Sequence, residues 1–358
     1  MQMEDSTFSG PIFVCGTSRS GTTLLQSALE KNPQIQTADE THYFDDLRVR
    51  LGERMRNVKL EGSEREDVEN YFLALSHRPF GHRGNPDEGW MQRDVLRSNA
   101  HLRGGRADHY FEAFCVLWAQ HHGGTIWGEK TPRHVFRLNE ILSRYPNGKV
   151  IFMLRDPRGV VASYRDWKNQ GGFDFEKDPE HASTLQAEHE RTRRSYHPVT
   201  ISLLWVAAVR AAREAQSRFG VDRVRLQRYE ALCDTPEQEM GSLFDWLGIA
   251  RPDDMVQVPV LNSSYEKHSQ SGGFLKGTSD RWVKTLSPTE ISVCERCCGQ
   301  LLQQVGYPKS TSRASILQTL PYFCSAIPAM TRAAVLNAHR SGNLPQYILR
   351  RAGFIFGR

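Results

Sequence analysis

The chain has no run approaching the ~18 unbroken apolar residues that a membrane span requires, so no transmembrane segment is expected. Its first ten residues, MQMEDSTFSG, lack both a basic n-region and an apolar h-region, which excludes the pattern of a secretory signal. There are no internal repeats and no low-complexity tracts. Seven cysteines, an odd number at scattered positions, form no disulfide framework. Cys294, Cys297 and Cys298 cluster, but neither a second C-x-x-C nor a nearby His pair completes a zinc set, so a helix carrying three thiols is the expectation. This cysteine usage suits a reducing, cytoplasmic setting. Acidic residues are missing altogether from residues 309–358, which hold seven Lys or Arg.

With 46 basic and 41 acidic residues in 358, the remaining 308 residues carry 39 basic against 41 acidic and are near neutral. A basic tail thus follows an uncharged body, and no nucleic-acid partner is expected. Hydrophobic content of 39% and charged content of 24% describe an ordinary globular protein, long enough for one large domain or two smaller ones.

Short apolar runs rich in β-branched residues predict strands at 12–15, 150–154 and 224–226. Helical periodicity marks 22–31, ending at Asn32-Pro33, and recurs near 107–121, 134–145, 157–167 and 200–219. Strands alternating with helices predict an α/β fold, a parallel sheet flanked by helices. Ligands of such sheets collect at the carboxyl ends of the strands, where Arg19, Arg155 and Arg228 are expected to project. Residues 45–110 are rich in Arg, Glu, Asp and His and read as a polar excursion over the sheet, either shaping substrate access or merely solvated. The division expected is a domain over 1–310 and a basic extension over 311–358.

Residues 11–25, PIFVCGTSRSGTTLL, carry an apolar strand through a glycine-bounded loop into a helix start. The loop Gly16-Thr17-Ser18-Arg19-Ser20-Gly21-Thr22-Thr23 reads G-x-x-x-x-G-T-T. It keeps both glycines and the last Thr of a P-loop but sets Thr22 where the nucleotide-triphosphate lysine belongs. Loop N–H groups ahead of a helix N-terminus form an anion cradle, to which Thr22 and Thr23 add hydroxyls and Arg19 a fixed charge.

A second anion site follows the strand at 150–154. Asp156-Pro157 opens a helix, with Asp as N-cap and Pro at the first helical position. Arg155 is thereby fixed at a strand end, with Ser163 within two turns, and the pair suits a phosphate. An apolar strand ending in Asp also resembles a Walker-B strand with Asp156 on magnesium, although capping already uses that carboxylate.

Together the two sites resemble the sulfotransferase family that uses 3′-phosphoadenosine 5′-phosphosulfate (PAPS). The resemblance covers roughly residues 11–308 and implies a P-loop-like α/β fold. It implies that Arg19, Ser20, Gly21, Thr22 and Thr23 grip the 5′-phosphosulfate, and that Arg155 and Ser163 hold the 3′-phosphate. Ala38-Asp39-Glu40-Thr41-His42-Tyr43-Phe44-Asp45 is similar to segments of Golgi glycosaminoglycan and tyrosylprotein sulfotransferases whose glutamate is the catalytic base, which nominates Glu40. Trp127-Gly128-Glu129-Lys130-Thr131-Pro132 resembles the segment whose lysine contacts the transferring sulfuryl group, which nominates Lys130. Tyr229 matches a tyrosine near the nucleotide. Lys276 and Gly277, in Phe274-Leu275-Lys276-Gly277, look like part of a late loop closing over the donor. Leu275 stands where cytosolic members have an arginine, and Pro132 where they have a histidine base.

The resemblance thus implies sulfuryl transfer from PAPS to an acceptor hydroxyl of a carbohydrate, lipid, peptidyl tyrosine or metabolite, with adenosine 3′,5′-bisphosphate (PAP) as product and no metal. A base in the role of Glu40 requires proximity and a modestly raised pKa; His42 could assist or replace it. Alternative functions are a P-loop kinase or nucleotide hydrolase and a non-catalytic adenosine-bisphosphate binder. In the tail, apolar clusters from Ile316 to Phe356 accompany basic charges only, which suits an anionic membrane surface, the body itself or a second subunit.

Overall fold

The computed structural model describes residues 8–78, 84–166, 179–259, 273–277 and 280–336, with Gly353. Strand β1 (Ile12–Gly16) leads through the glycine loop into helix α1 (Thr22–Leu29), and β2 (Ile35–Ala38) follows. A single π-helical turn, Tyr43–Leu47, opens a helical stretch: α2 (Arg48–Asn57), α3 (Gly62–His77), α4 (Arg93–Leu102) and α5 (Ala107–His121). Next come β3 (Ile126–Lys130), a 3-10 turn (Pro132–Arg137), α6 (Leu138–Arg144), β4 (Lys149–Leu154) and α7 (Pro157–Asp166). The chain continues with α8 (Pro179–Ser195), α9 (Pro198–Phe219), β5 (Val224–Arg228), α10 (Tyr229–Asp234) and α11 (Pro236–Leu247). It closes with α12 (Arg281–Thr285), α13 (Pro288–Cys298), α14 (Leu301–Gln304) and α15 (Ile316–Leu336).

The five strands form one parallel sheet in the order β2-β3-β1-β4-β5. Side chains of β1 alternate between two cores, as a strand buried on both faces requires. Ile12 and Val14 join Ile151 and Met153 beneath Leu25 of α1 and Phe244 of α11. Phe13 and Cys15 join Phe152 beneath Phe111 and Phe114 of α5 and Trp205 of α9. The chain leaves β1 for β2 on one side and reaches β4 on the other, so a crevice opens at the carboxyl end of β1.

The predicted parallel α/β architecture is present, and each strand read from the sequence exists, one or two residues longer. Strands β2 and β3 were not anticipated: Ile35-Gln36-Thr37-Ala38 and Ile126-Trp127-Gly128-Glu129-Lys130 have too few apolar residues in a row to register as buried strands.

Residues 45–110 are not a polar excursion. They hold α2 to α4 and the start of α5, and Leu60, Val68, Phe72, Leu73, Met91 and Leu96 are buried in the core. Their charges misled because they meet one another inside. Glu69, with no solvent exposure, is paired with Arg97 at 2.8 Å and with Arg93 at 3.5 Å, and it accepts from Tyr110 Oη at 3.3 Å. Arg48 pairs with Asp108 at 2.8 Å. Cys294, Cys297 and Cys298 do lie on a helix, α13.

Candidate functional site

The loop from Gly16 to Gly21 is held in place from below. A Cβ at Gly16 would lie 2.9 Å from the Met153 carbonyl oxygen, so only glycine lets β1 and β4 run this close at their ends. The Ser20 N–H donates to the Thr17 carbonyl at 3.1 Å, and the two hydroxyls are 2.7 Å apart. Arg19 adopts a left-handed φ of 72°, uncommon for a residue with a side chain and a mark of a constrained loop. Gly21, at φ 88°, offers α1 no side-chain cap, and the first turn of α1 contains no acidic residue. The N–H groups and dipole of that turn therefore favour an anion. Thr22 is buried and Thr23 half-buried at the same turn.

The two loops read from the sequence as separate anion sites are bonded to each other. Arg19 Nε donates to Ser163 Oγ at 3.2 Å, and Arg155 Nη1 donates to the Arg19 carbonyl at 2.7 Å. The Arg155 guanidinium lies 4.2 Å from the centroid of the Tyr229 ring, a cation–π contact. That ring also walls Gly21, where a Cβ would fall 2.5 Å from Tyr229 Cδ2. Behind these groups, Trp205 Nε1 on α9 donates to the Arg155 carbonyl at 2.9 Å and fixes the exit of β4.

Asp156 caps α7, accepting from the Arg158 N–H at 2.8 Å, and its carboxylate is gripped by the Arg158 guanidinium at 2.6 Å. Arg158 in turn pairs with Glu295 at 2.8 Å and lies over Trp282. A carboxylate so neutralised is a poor magnesium ligand, which disfavours the Walker-B alternative. Arg228 does not join the site as expected. Its guanidinium lies over the Tyr307 ring and donates to the Val305 carbonyl at 3.2 Å, so it anchors the segment after α14. Lys276 and Gly277 are exposed in a turn tied to the body through Gly273, whose N–H donates to the Val258 carbonyl at 2.6 Å.

A second group assembles beside the loop because of sheet register. Ala38 pairs with Glu129 and Val14 with Lys130, so the residues leaving β2 meet the end of β3 next to β1. Lys130 Nζ lies 3.2 Å from Glu40 Oε1 and 3.6 Å from Asp39 Oδ1, with its side chain wholly buried. His42 Nε2 lies 3.3 Å from Glu40 Oε2, and His42 Nδ1 lies 3.7 Å from Asp45 Oδ1. Arg133 closes the row, 2.7 Å from Asp45 and 3.4 Å from Asp46. His42, Asp45 and Asp46 each bring a donor atom within 4.8 Å of one another, and Arg133 supplies countercharge to that cluster. His42 also takes a left-handed φ of 51°. Glu129 braces this turn: Oε1 accepts from the Thr41 N–H at 3.1 Å and Thr41 Oγ1 at 2.8 Å, while Oε2 lies 2.8 Å from His134 Nδ1.

These contacts correct one expectation. Burial alone would raise the pKa of Glu40, but Lys130 and His42 outweigh it and bring the carboxyl down to about 2 rather than modestly up. His42 goes the other way. Burial opposes its charge, yet Asp45 and Glu40 lift it to about 9, which favours the protonated ring at neutral pH. Burial likewise disfavours the Lys130 ammonium, and Glu40 and Asp39 more than restore it, raising its pKa.

Trp205, Arg158, Asp39 and the Glu129–His134 pair escaped sequence reasoning. Only Asp39 and Glu129 had a signal, since each adjoins a nominated residue; Trp205 lies 50 positions from Arg155, and nothing local connects them.

Residues 11–253 match the model of the sulfotransferase family. The chain is similar to a protein-tyrosine sulfotransferase of Drosophila melanogaster, 22% identical over 293 residues, which are 81% of this chain and 47% of that protein. It thus spans about half the length of the curated relative it matches. Among solved structures it resembles the sulfotransferase domain from the curacin biosynthetic pathway, 16% identical with a TM-score of 0.46 over 85% of this chain and 99% of that one. It also resembles sulfotransferase STF9 from Mycobacterium avium, 13% identical with a TM-score of 0.41 over 87% of this chain and 80% of that one.

Proposed function

Because the chain belongs to the sulfotransferase family, we propose that it moves a sulfuryl group from PAPS to an acceptor hydroxyl and releases PAP. The observation that carries this reading is the bonded junction of Arg19 with Ser163 and Arg155, set against the uncapped start of α1. A donor with phosphate groups at both ends of one nucleoside suits a site in which the glycine loop and the β4 exit are joined. Arg19, Ser20, Gly21, Thr22 and Thr23 would hold the phosphosulfate end, and Arg155, Ser163 and Tyr229 the 3′-phosphate end. Lys276 and Gly277 would add to that grip.

Sulfuryl transfer is an in-line displacement, in which the acceptor oxygen bonds to sulfur as the bond from sulfur to the bridging phosphate oxygen breaks. Loop N–H groups, Thr22, Thr23 and Lys130 stabilise the negative charge that spreads over the bridging and sulfuryl oxygens. Glu40 takes the proton of the hydroxyl. As Lys130 turns to the transferring group, Glu40 loses the contact that most depresses its basicity and becomes a better base. His42, held as a cation, orients Glu40. A diphosphate with magnesium has no part here: Thr22 replaces the lysine that would bind it, and Arg158 neutralises Asp156, which weighs against a kinase or nucleotide hydrolase. The intact Glu40–Lys130 pair weighs against a protein that only binds PAP.

Peptidyl tyrosine, the acceptor named for the Drosophila relative, stands beside carbohydrate, lipid and metabolite hydroxyls as a candidate. Helix α3 touches the turn that bears Glu40, where Tyr71 Oη donates to the Thr41 carbonyl, so its residues would border a bound acceptor. Isothermal titration tests the reading: PAP binds without magnesium and ATP does not. Binding of ATP with magnesium, or no binding of PAP, refutes it.

A further inference from the structure

Helix α15 reverses the usual order of a surface helix. The side chains it turns to the body are small, with Thr319, Ala326, Ala329 and Ala334 buried, and it packs on α8, α9 and α13. Tyr322 alone of the large side chains in its first two turns packs on the body, against Val199 and Val293, and the large aliphatic ones point outward. Leu317 is 80% and Ile327 75% exposed, and Ile316, Leu320 and Phe323 are exposed as well. Positions 316, 320, 323 and 327 recur at helical spacing and form one stripe along the free face. An apolar stripe of this length left in water marks an interaction surface.

Charge identifies the partner. The exposed Lys309, Arg313 and Arg332 flank or belong to α15, and residues 309–358 contain no acidic side chain. The charges that α15 and its flanking residues carry are all basic, so an anionic bilayer supplies the opposite sign, whereas two copies of α15 would set basic against basic. Pro321 and Pro328 interrupt the helix, and among the described residues no helix is long and apolar enough to cross a membrane. A helix with an exposed apolar face and basic residues at its flanks lies in the interface instead.

We infer that α15 is a membrane-surface helix whose outward stripe seats in the headgroup boundary of an anionic lipid bilayer. The test is flotation of the full chain with phosphatidylcholine vesicles holding roughly 30% phosphatidylserine, compared with pure phosphatidylcholine. The full chain floats with the anionic vesicles, at least about tenfold more than with neutral ones, and less as salt rises. Leu317→Glu with Ile327→Glu abolishes flotation while leaving PAP binding and thermal unfolding unchanged. Both positions are exposed, and Leu320→Ser provides a milder variant if the double change misfolds. Failure of the unaltered chain to float with anionic vesicles overturns the inference. So does flotation that the substitutions leave intact, or a dimer in sedimentation that they dissociate. PAP titration of the same samples keeps this outcome separate from the proposed activity.

Discussion

Arg155 donates from Nη1 to the carbonyl oxygen of Arg19 at 2.7 Å, joining two loops that are 136 residues apart in the chain. The bond ties a strand exit to the glycine loop, which the proposed donor site requires. It depends on Trp205, whose indole N–H holds the Arg155 carbonyl. Trp205→Phe keeps most of the buried ring and removes that donor. PAP affinity should fall about tenfold, or ~1.4 kcal/mol, and stability by about 1–3 kcal/mol. Titration and urea unfolding measure the two, and an unchanged PAP affinity would show that Trp205 serves packing alone.

Gly21→Ala meets two obstacles, the positive φ and the Tyr229 ring. The backbone term costs about 1–2 kcal/mol, and the clash displaces the ring that stacks on Arg155. Weakened PAP binding is expected, by about tenfold or more. Adding Tyr229→Leu relieves the clash but not the backbone strain, so thermal stability recovers in part while binding does not. Full recovery of both would refute a role for the ring in binding.

Glu40→Gln removes the proposed base and keeps its shape. Transfer should fall by about 10²–10⁴-fold, with PAP bound as before. The measurement is single-turnover transfer from labelled PAPS to a hydroxyl acceptor found by screening. Near-normal turnover would reassign the base.

Stability should depend on pH through His42 and Glu40. The folded value of His42, about 9, lies above its ordinary 6.5, so its stabilisation is complete below pH 6.5 and fades as pH rises through 9. That of Glu40, about 2, lies below its ordinary 4.5, so its stabilisation is present above pH 4.5 and fades as pH falls through 2. Urea midpoints measured from pH 5 to 10 should drop on the alkaline side, and His42→Gln should flatten that drop. An alkaline limb of the same slope in the variant would place its origin elsewhere.

Glu69→Ala removes the carboxylate that Arg97, Arg93 and Arg65 share. These arginines keep roughly a third of their side-chain surface in water, so the loss should be about 1–3 kcal/mol, to be read from urea unfolding. A loss under ~1 kcal/mol would mean that solvent and Asp94 take over from the carboxylate.

The parallel sheet, the loop and the Arg155–Ser163 helix were legible because each rests on local chemistry: unbroken apolar strands, paired glycines, an Asp-Pro helix start. Their fusion was not, since Arg19 and Ser163 are 144 residues apart and only the β1–β4 register brings them together. The Glu40–Lys130 pair came from resemblance, and its electrostatics escaped notice because burial and charge act there in opposite directions. Residues 45–110 misled most. Composition counts charges without revealing that Glu69 and Arg97, or Arg48 and Asp108, are spent on each other.

The contact between the Arg19 backbone and the Arg155 side chain also bears on how a bound molecule could be taken apart. On the proposed reading, a half-molecule with one phosphoryl group seated at either loop would steady the other through this bond, so fragment affinities would depend on each other. The intact nucleotide should then be held more tightly than the product of the two fragment constants allows.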